Sequence, residues 1–512
     1  MTTRTRIRGG LAAVAAVATL ATAVVAQPAA ALTTSQADDA YQSFVSQYWD
    51  ASKNYFYTYS DHVAHSEHAV GPDGGVYTDY WWEAQLWEMV MDRYERTHDS
   101  ASRAMIDDVF DGFQAAYPTP TDNDWNDDIG WWARGSIRAY ELTGESRYLT
   151  EAETLFSYVS GYEDTKYGGG IWWKNVDVGD GSKNEKNVAT NGTAIYTALR
   201  LYAATGTQSY LDTANRLFTW LDTNFDRNGH LRDHVSGTGT YTDYDWTYNQ
   251  GDYAGAALQM YLVTHDAAYL SKATAAVDWA IANLTDSGTF RNEGSDDTAG
   301  FKAILTRNIR ALIDEAGQTE YESVLTANAS QAVQHVNASG IGGGDWTAPT
   351  PALGTAAVQS LAAGATAAIA QQAVPDGSSA IVEGSGVYEA ENVDQSGVGN
   401  ESSNAGFSGR GYVAGWIADG SSVTFHLNVA TAGAHTLTLR YAAGAGDATR
   451  AVTVAGGQVA TVTFPSTGGW GTWSEVTVPV TLAAGSNAVS IRFDAAAGSS
   501  NYVNLDRLSV SL

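Results

Sequence analysis

Residues 124–132 read Asp-Trp-Asn-Asp-Asp-Ile-Gly-Trp-Trp, which puts three carboxylates, an amide and three indoles into nine positions. Carboxylates serve as proton donors, proton acceptors and nucleophiles, and indole faces stack on the C–H surface of a pyranose ring, so the mixture suits a sugar. Asp127 and Asp128 abut. Adjoining carboxylates repel, which drives their proton affinities apart, and such pairs gather where one acid must be charged and the other neutral. On this segment alone a second reading stays open. An Asp ahead of an apolar-periodic run is an ordinary helix N-cap, and Ile129, Trp132, Ser136 and Tyr140 follow at helical spacing. A cap, however, needs one acid and no tryptophan.

If a helix starts there, other elements must bring partners to it. From residue 40 to about 370 the chain repeats itself loosely. Tyr140-Glu-Leu-Thr-Gly144 leads to Tyr148-Leu149 and Leu155-Phe156, and Leu201 to Gly206 leads likewise to Tyr210-Leu211 and Leu217-Phe218. Leu262-Val-Thr-His265 leads to Tyr269-Leu270 and then Val277 and Trp279, while Tyr94 to Thr97 before Met105-Ile106 is a degenerate copy. Each unit predicts helix, tight turn, helix, with a period of roughly 46 to 62 residues. About six such hairpins fill residues 32–373 as an all-α (α/α)6 toroid. The polar, aromatic loops 77–83, 122–130, 184–191 and 241–250 each precede a small-residue inner helix. In a toroid these loops meet at one mouth, where helix N-termini favour negative charge. That convergence moves Asp127 and Asp128 from caps to chemistry.

The chain has 512 residues, enough for two domains and a large core. Its 28 Lys and Arg against 57 Asp and Glu give a net charge of -29, which excludes nucleic acid as a partner and favours a neutral one. Arg4, Arg6 and Arg8 precede an apolar run from Leu11 to Ala26, and Ala29-Ala-Ala31 supplies a cleavage site. Residues 1–31 therefore read as a secretory signal peptide, predicting an extracellular monomer with no membrane attachment after its removal. The absence of Cys means that no disulfide is used.

Residues 374–386 form a linker rich in small residues. Beyond it, residues 423–429, 435–441, 452–454, 475–478 and 488–493 alternate in the manner of strands, which predicts an all-β jelly-roll or β-sandwich module over 387–512. Tyr388-Glu389-Ala-Glu391 opens it with two glutamates on one strand face. They are either solvated or hold a cation, for which Ca²⁺ has the right preference for oxygen.

Two resemblances follow. Asp127-Asp128 in its Trp-rich loop, Gly168-Gly-Gly-Ile-Trp-Trp173, Thr190-Asn-Gly192 and Tyr248-Asn-Gln250 resemble the motifs of glycoside hydrolase family 76, the α-1,6-mannanases. The resemblance implies an (α/α)6 toroid that cleaves α-1,6-mannan internally, retains anomeric configuration and needs no cofactor. It implies Asp127 as nucleophile and Asp128 as general acid/base, with sugar contacts from Trp125, Trp131, Trp173, Asn191, Tyr248 and Asn249. The alternatives are a cell-wall transglycosidase of the same fold and a non-catalytic polysaccharide-binding protein. Gly411-Tyr-Val-Ala-Gly-Trp416, Gly468-Gly-Trp470 and Asn504-Leu-Asp506 are similar to carbohydrate-binding modules of families 6 and 35. That likeness implies structural Ca²⁺ on Glu389, Glu391 and Asp506, and a sugar cleft of Trp416, Trp470 and Asn501. The alternative is that the two tryptophans are core residues.

Overall fold

The computed structural model describes residues 32–374 and 387–510, except 98, 180–182, 265, 391–392, 402, 405, 409–410, 417, 430–431 and 484. The proposed leader and residues 375–386 of the linker thus lie outside the described residues. Val374, assigned to the linker from sequence, is buried in the helical core instead.

Among the described residues, twelve helices of 13 residues or more make up the first region. They are α1 (Thr34–Tyr48), α2 (Tyr80–Thr97), α3 (Ser100–Ala116), α4 (Asn126–Thr143), α5 (Ser146–Ser160) and α6 (Val188–Thr205). After them come α7 (Gln208–Phe225), α8 (Thr247–Thr264), α9 (Ala267–Asn283), α10 (Phe301–Ala316), α11 (Glu322–Gln334) and α12 (Ser360–Gln372). The even-numbered helices touch one another in a closed cycle, α2 to α12 and back to α2. They are buried on nearly every face. The odd-numbered helices bury one stripe, as α5 does with Tyr148, Ala152, Leu155, Phe156 and Val159. Close approach inside the ring needs small residues: a Cβ on Gly251 of α8 would lie 2.7 Å from Leu305 Cα of α10. This is the (α/α)6 toroid read from the repeats, closed by α1 packing on α12. Gln371 Nε2 donates to Ala37 O at 2.7 Å across that seam.

The repeated threonine and tyrosine now have physical reasons. Thr97, Thr143, Thr205 and Thr264 each donate to the carbonyl four residues back at 2.6–2.8 Å, ending an inner helix. Each hydroxyl then accepts the N–H two residues on at 3.2–3.3 Å. The copy that looked degenerate, at Thr97, keeps this bracket. Tyr148 of α5 donates to Asp107 of α3 at 2.5 Å, Tyr210 of α7 to Glu153 of α5 at 3.2 Å, and Tyr321 to Asp278 of α9 at 2.9 Å. These three tyrosines each reach back to the preceding outer helix.

A belt of buried charge fills the ring. Arg138 and Arg307 share Asp92 at 2.8 and 2.9 Å, Arg134 meets Asp252 at 3.2 Å, and Glu88 sits among all three guanidiniums. Charges this deep persist only when paired, and the arginines hold Glu88 and Asp92 below the usual carboxylate range.

The second region is a sandwich of two antiparallel sheets. One runs Gly399–Glu401, Tyr412–Ala414, Asn504–Val510, Gly433–Ala442, Ser474–Leu482, with Val387–Glu389 also pairing to Asn504–Val510. The other runs Asp394–Ser396, Ser422–Val429, Gly485–Arg492, Ala448–Val454, Gly457–Phe464. Alternate residues such as Leu437, Leu439 and Tyr441 face the core between them. Among the described residues no helix is long and apolar enough to cross a membrane.

Candidate active site

The first turn of α4 carries Asp127 and Asp128. The N-cap residue is Trp125, which makes no side-chain cap bond, and Asp127 Oδ1 accepts instead from the Asp128 N–H at 3.0 Å. The helix start is tied down from outside. Asn126 N–H donates to Trp173 O at 2.6 Å, and Asn126 Nδ2 donates to Trp172 O at 2.8 Å. From the same segment the Trp173 indole N–H donates to Asp127 Oδ2 at 2.8 Å. Asn123 Nδ2 donates to Asp128 Oδ2 at 3.1 Å. Both carboxyls are half-buried where water is scarce. Burial raises Asp127 to about 7. Burial, then the charge of Asp127 and those of Asp79 and Asp297, push Asp128 well above the carboxylate range. Both acids are thus pushed toward the protonated form, and the charge of Asp127 adds to that push on Asp128.

The segment leading to Trp173 is anchored by buried groups. Lys186 Nζ, fully buried, donates to Asp164 Oδ1 at 2.6 Å, to Lys166 O at 2.9 Å and to Gly169 O at 2.6 Å. Gly170, at φ 81°, lies so close to Trp220 that a Cβ would stand 2.5 Å from the ring. The triple-glycine motif is thus needed for the loop to lie flat on Trp220.

Two polar groups flank the pair. Asp297 Oδ1 accepts from the indoles of Trp81 at 3.0 Å and Trp82 at 2.8 Å. His68, stacked on Trp82, lies 2.5 Å from Asp296 and 3.4 Å from Asp79, and these acids raise its proton affinity. On the other side His234 lies 2.7 Å from Asp233 and 3.6 Å from Glu185. Burial raises Glu185 to about 6. Each group brings its possible ligand atoms within 4.8 Å of one another. Their carboxylates, however, already accept indole, Tyr248 and Asn249 donors, the pattern of hydrogen-bonded positioning groups. Loops 77–83 and 184–191 were expected at the mouth; Asp233-His234 and Asp296-Asp297 were not. The Asp296-Asp297 doublet repeats the Asp127-Asp128 pattern, but Asp38-Asp39 and Asp107-Asp108 do so too, so the doublet alone does not mark the mouth.

Several expected sugar contacts have other duties. Trp131 is buried, 5% exposed, in the helical core. Asn191 is fully buried, and its amide holds the backbone of Ile171 and Asn187, not a hydroxyl. Asn249 is likewise fully buried and donates to Asp233 Oδ1 and Tyr244 O. These amides met the family pattern because they build the mouth, and sequence alone does not separate builders from binders. Tyr248 donates its hydroxyl to Asp233 at 2.7 Å and stays half-buried. Trp125 is the open indole on the rim, 36% exposed, with Lys174 Nζ 4.3 Å from its ring centre, and Tyr244 is 51% exposed.

In the module, Trp416 is a core residue, fully buried, its indole donating to Val413 O at 3.3 Å. Asn501 donates to Ala445 O and Asp447 O at 3.2 and 3.1 Å, bracing that loop instead of presenting a free amide. Trp470 is half-buried against Gly444, and Tyr502, 51% exposed, is the open aromatic beside Asn501 in sequence. Asp506 does not fit a metal. It is fully buried, ion-paired to Arg440, and accepts the N–H and hydroxyl of Ser408 at 2.8 and 3.0 Å. Glu391 and the side chain of Glu389 lie outside the described residues.

A closed toroid of helical hairpins with an acid pair at its mouth is the construction of a glycoside hydrolase. The chain belongs to glycosyl hydrolase family 76, whose model matches residues 32–380, and the model of carbohydrate binding module family 6 matches residues 389–511. It is 25% identical over 308 residues to a mannan endo-1,6-alpha-mannosidase of Candida glabrata, covering 53% of this chain and 67% of that one. It is 37% identical over 123 residues to an isomaltosyltransferase of Sporosarcina globispora, covering 24% of this chain but 11% of that one. Among solved structures, an alpha-1,6-mannanase from Salegentibacter sp. HEL1_6 superposes with a TM-score of 0.59 at 24% identity, covering 66% of this chain and 98% of that one.

Proposed function

We propose that this chain is a secreted, retaining endo-α-1,6-mannanase whose C-terminal module holds it on polysaccharide. The observation that carries the reading is the Asp127–Asp128 pair, one acid kept ionisable by two N–H donors and the other kept protonated by its neighbours. In retention Asp127 attacks the anomeric carbon while Asp128 protonates the departing oxygen; a water deprotonated by Asp128 then releases the sugar. Support comes from the Salegentibacter mannanase, in which a variant with two adjacent aspartates changed to asparagine is inactive and was solved with alpha-1,6-mannotriose. The mouth is lined by Asp79, Asp127, Asp128, Glu185, Asp233 and Asp297, which repels acidic sugars and leaves neutral ones as substrates. Digestion of linear α-1,6-mannan, with product length and anomer followed by NMR, tests this. Short internal fragments born as the α-anomer support it; an inverted anomer, single mannose units from the start, or no cleavage removes it. Longer chains growing from short donors would instead mark a transglycosidase.

For the module, tethering raises the local concentration of substrate without touching the reaction. Retardation of the full chain in mannan-containing native gels, weakened in Trp470→Ala, tests this; unretarded migration rejects it. Calcium in the module is a proposal resting on Glu389 and Glu391 without Asp506. An unfolding temperature unmoved by chelator would refute it. Secretion is proposed from residues 1–31, and N-terminal sequencing of protein from the medium should begin after Ala31.

A further inference from the structure

Asp127 and Asp128 are the same acid in adjoining positions, so their surroundings must decide which one is ionised. Asp127 accepts two N–H donors, the Trp173 indole at 2.8 Å and the Asp128 amide at 3.0 Å. Among the described residues Asp128 accepts one, from Asn123 at 3.1 Å. The other groups that bear on Asp127 are Asp128, Glu185 and, from within the ring, Asp252, with the Tyr248 hydroxyl also near. All of these are acids, so the indole is the one side-chain donor on Asp127 among the described residues.

We propose that the indole N–H of Trp173 selects Asp127 as the ionised member of the pair, which makes Trp173 a positioning residue for the attacking carboxylate rather than a surface for the sugar. The contact is fixed at both ends. Trp173 N–H donates to Glu185 O at 2.7 Å, and its own carbonyl accepts from Asn126, the first residue of α4, at 2.6 Å. The next residue continues the bridge, Lys174 pairing with Trp125. One short segment therefore holds the donor while pinning the helix turn that carries the acceptor. A donor preset in this way stabilises negative charge without having to reorganise during the reaction.

The inference rests on the reading of Asp127 as nucleophile, and the experiment separates the two. The pH dependence of kcat/KM is measured on a mannooligosaccharide for wild type, Trp173→Phe, Asn123→Ala and Asp127→Asn. Trp173→Phe keeps a ring and removes the donor, so the acid limb should move up by roughly one pH unit, a tenfold change in proton affinity, with KM nearly unchanged. Asn123→Ala should move the basic limb up and leave the acid limb in place. A Trp173→Phe profile that superimposes on wild type, or one altered only by a higher KM, overturns the proposal. If Trp173→Phe does not fold, Asn123→Ala still decides, because movement of the acid limb there would reverse the assignment. Activity surviving in Asp127→Asn would sink the underlying reading instead, whatever Trp173 does.

Discussion

At the residue scale, the two aspartates differ in what touches them, and their variants should differ accordingly. Asp127→Asn removes the proposed nucleophile, and turnover of mannan should fall roughly 10³-fold or more with the fold intact by circular dichroism. Asp128→Asn should lose a similar factor on mannan. It should recover much of that loss on an aryl mannoside with an acidic phenol, because a good leaving group needs little protonation. Equal losses on both substrates would show that Asp128 is not the proton donor. Glu185→Gln takes one negative charge from beside Asp127, so the acid limb of kcat/KM should move to lower pH, opposite in sign to Trp173→Phe. A limb that stays in place would remove Glu185 from the electrostatics of the pair.

At the scale of elements, much of the arrangement is legible in the sequence. The threonine recurs at a fixed offset because it ends each of these inner helices in the same way, and the tyrosines of two Tyr-Leu pairs, Tyr148 and Tyr210, each reach back one outer helix. The Asp pair is legible because its two acids adjoin in sequence within a tryptophan-rich loop. Asn191 and Asn249 were misread for a physical reason: an amide that braces a loop and one that meets a hydroxyl are the same residue type in the same motif. Trp416 failed similarly, since an indole serves a core as well as a cleft. Lys186 is not found from sequence, because its partners, the Asp164 carboxylate and two backbone carbonyls, lie 17 to 22 residues away. It supplies an element-scale prediction. Lys186→Met leaves those groups without their donor and frees the segment that orients Trp173, so the chain should lose about 2 kcal/mol or more of stability. Calorimetry and kinetics together check this, with kcat expected to fall more than KM rises; an unchanged unfolding temperature would contradict it. In the module, Arg440→Met strands the buried Asp506 carboxyl. A loss of about 3 kcal/mol in the module's unfolding transition is expected, and no loss would show that Ser408 suffices.

At the scale of the whole molecule, the buried acids set how stability responds to pH. Burial raises Glu185 and Asp314 to about 6, Asp127 and Glu293 to about 7 and Asp252 to about 8. In the unfolded chain such groups titrate near 4, so between these limits the folded state binds more protons. Their contribution is fully present at low pH and is lost as pH rises through 6 to 8. His68 and His234, both raised, act with the same sign. Glu88 and Asp92, both lowered, oppose it only as pH falls below the ordinary carboxylate range, and Lys302, lowered to about 8, opposes it only above that pH. The unfolding temperature should therefore fall from pH 5 to pH 8; a flat or rising profile by calorimetry would refute this. One further consequence lies in the seam where α12 meets α1. A ring that shuts on itself has a set circumference, so duplicating or deleting a hairpin, harmless in an open solenoid, would leave a gap or an excess that no neighbour absorbs. Order around the ring matters, but the starting point does not. Because the first and last helices already adjoin, a polypeptide cut between two hairpins and spliced across the seam has every original neighbour, and such a circular permutant should still assemble the same mouth.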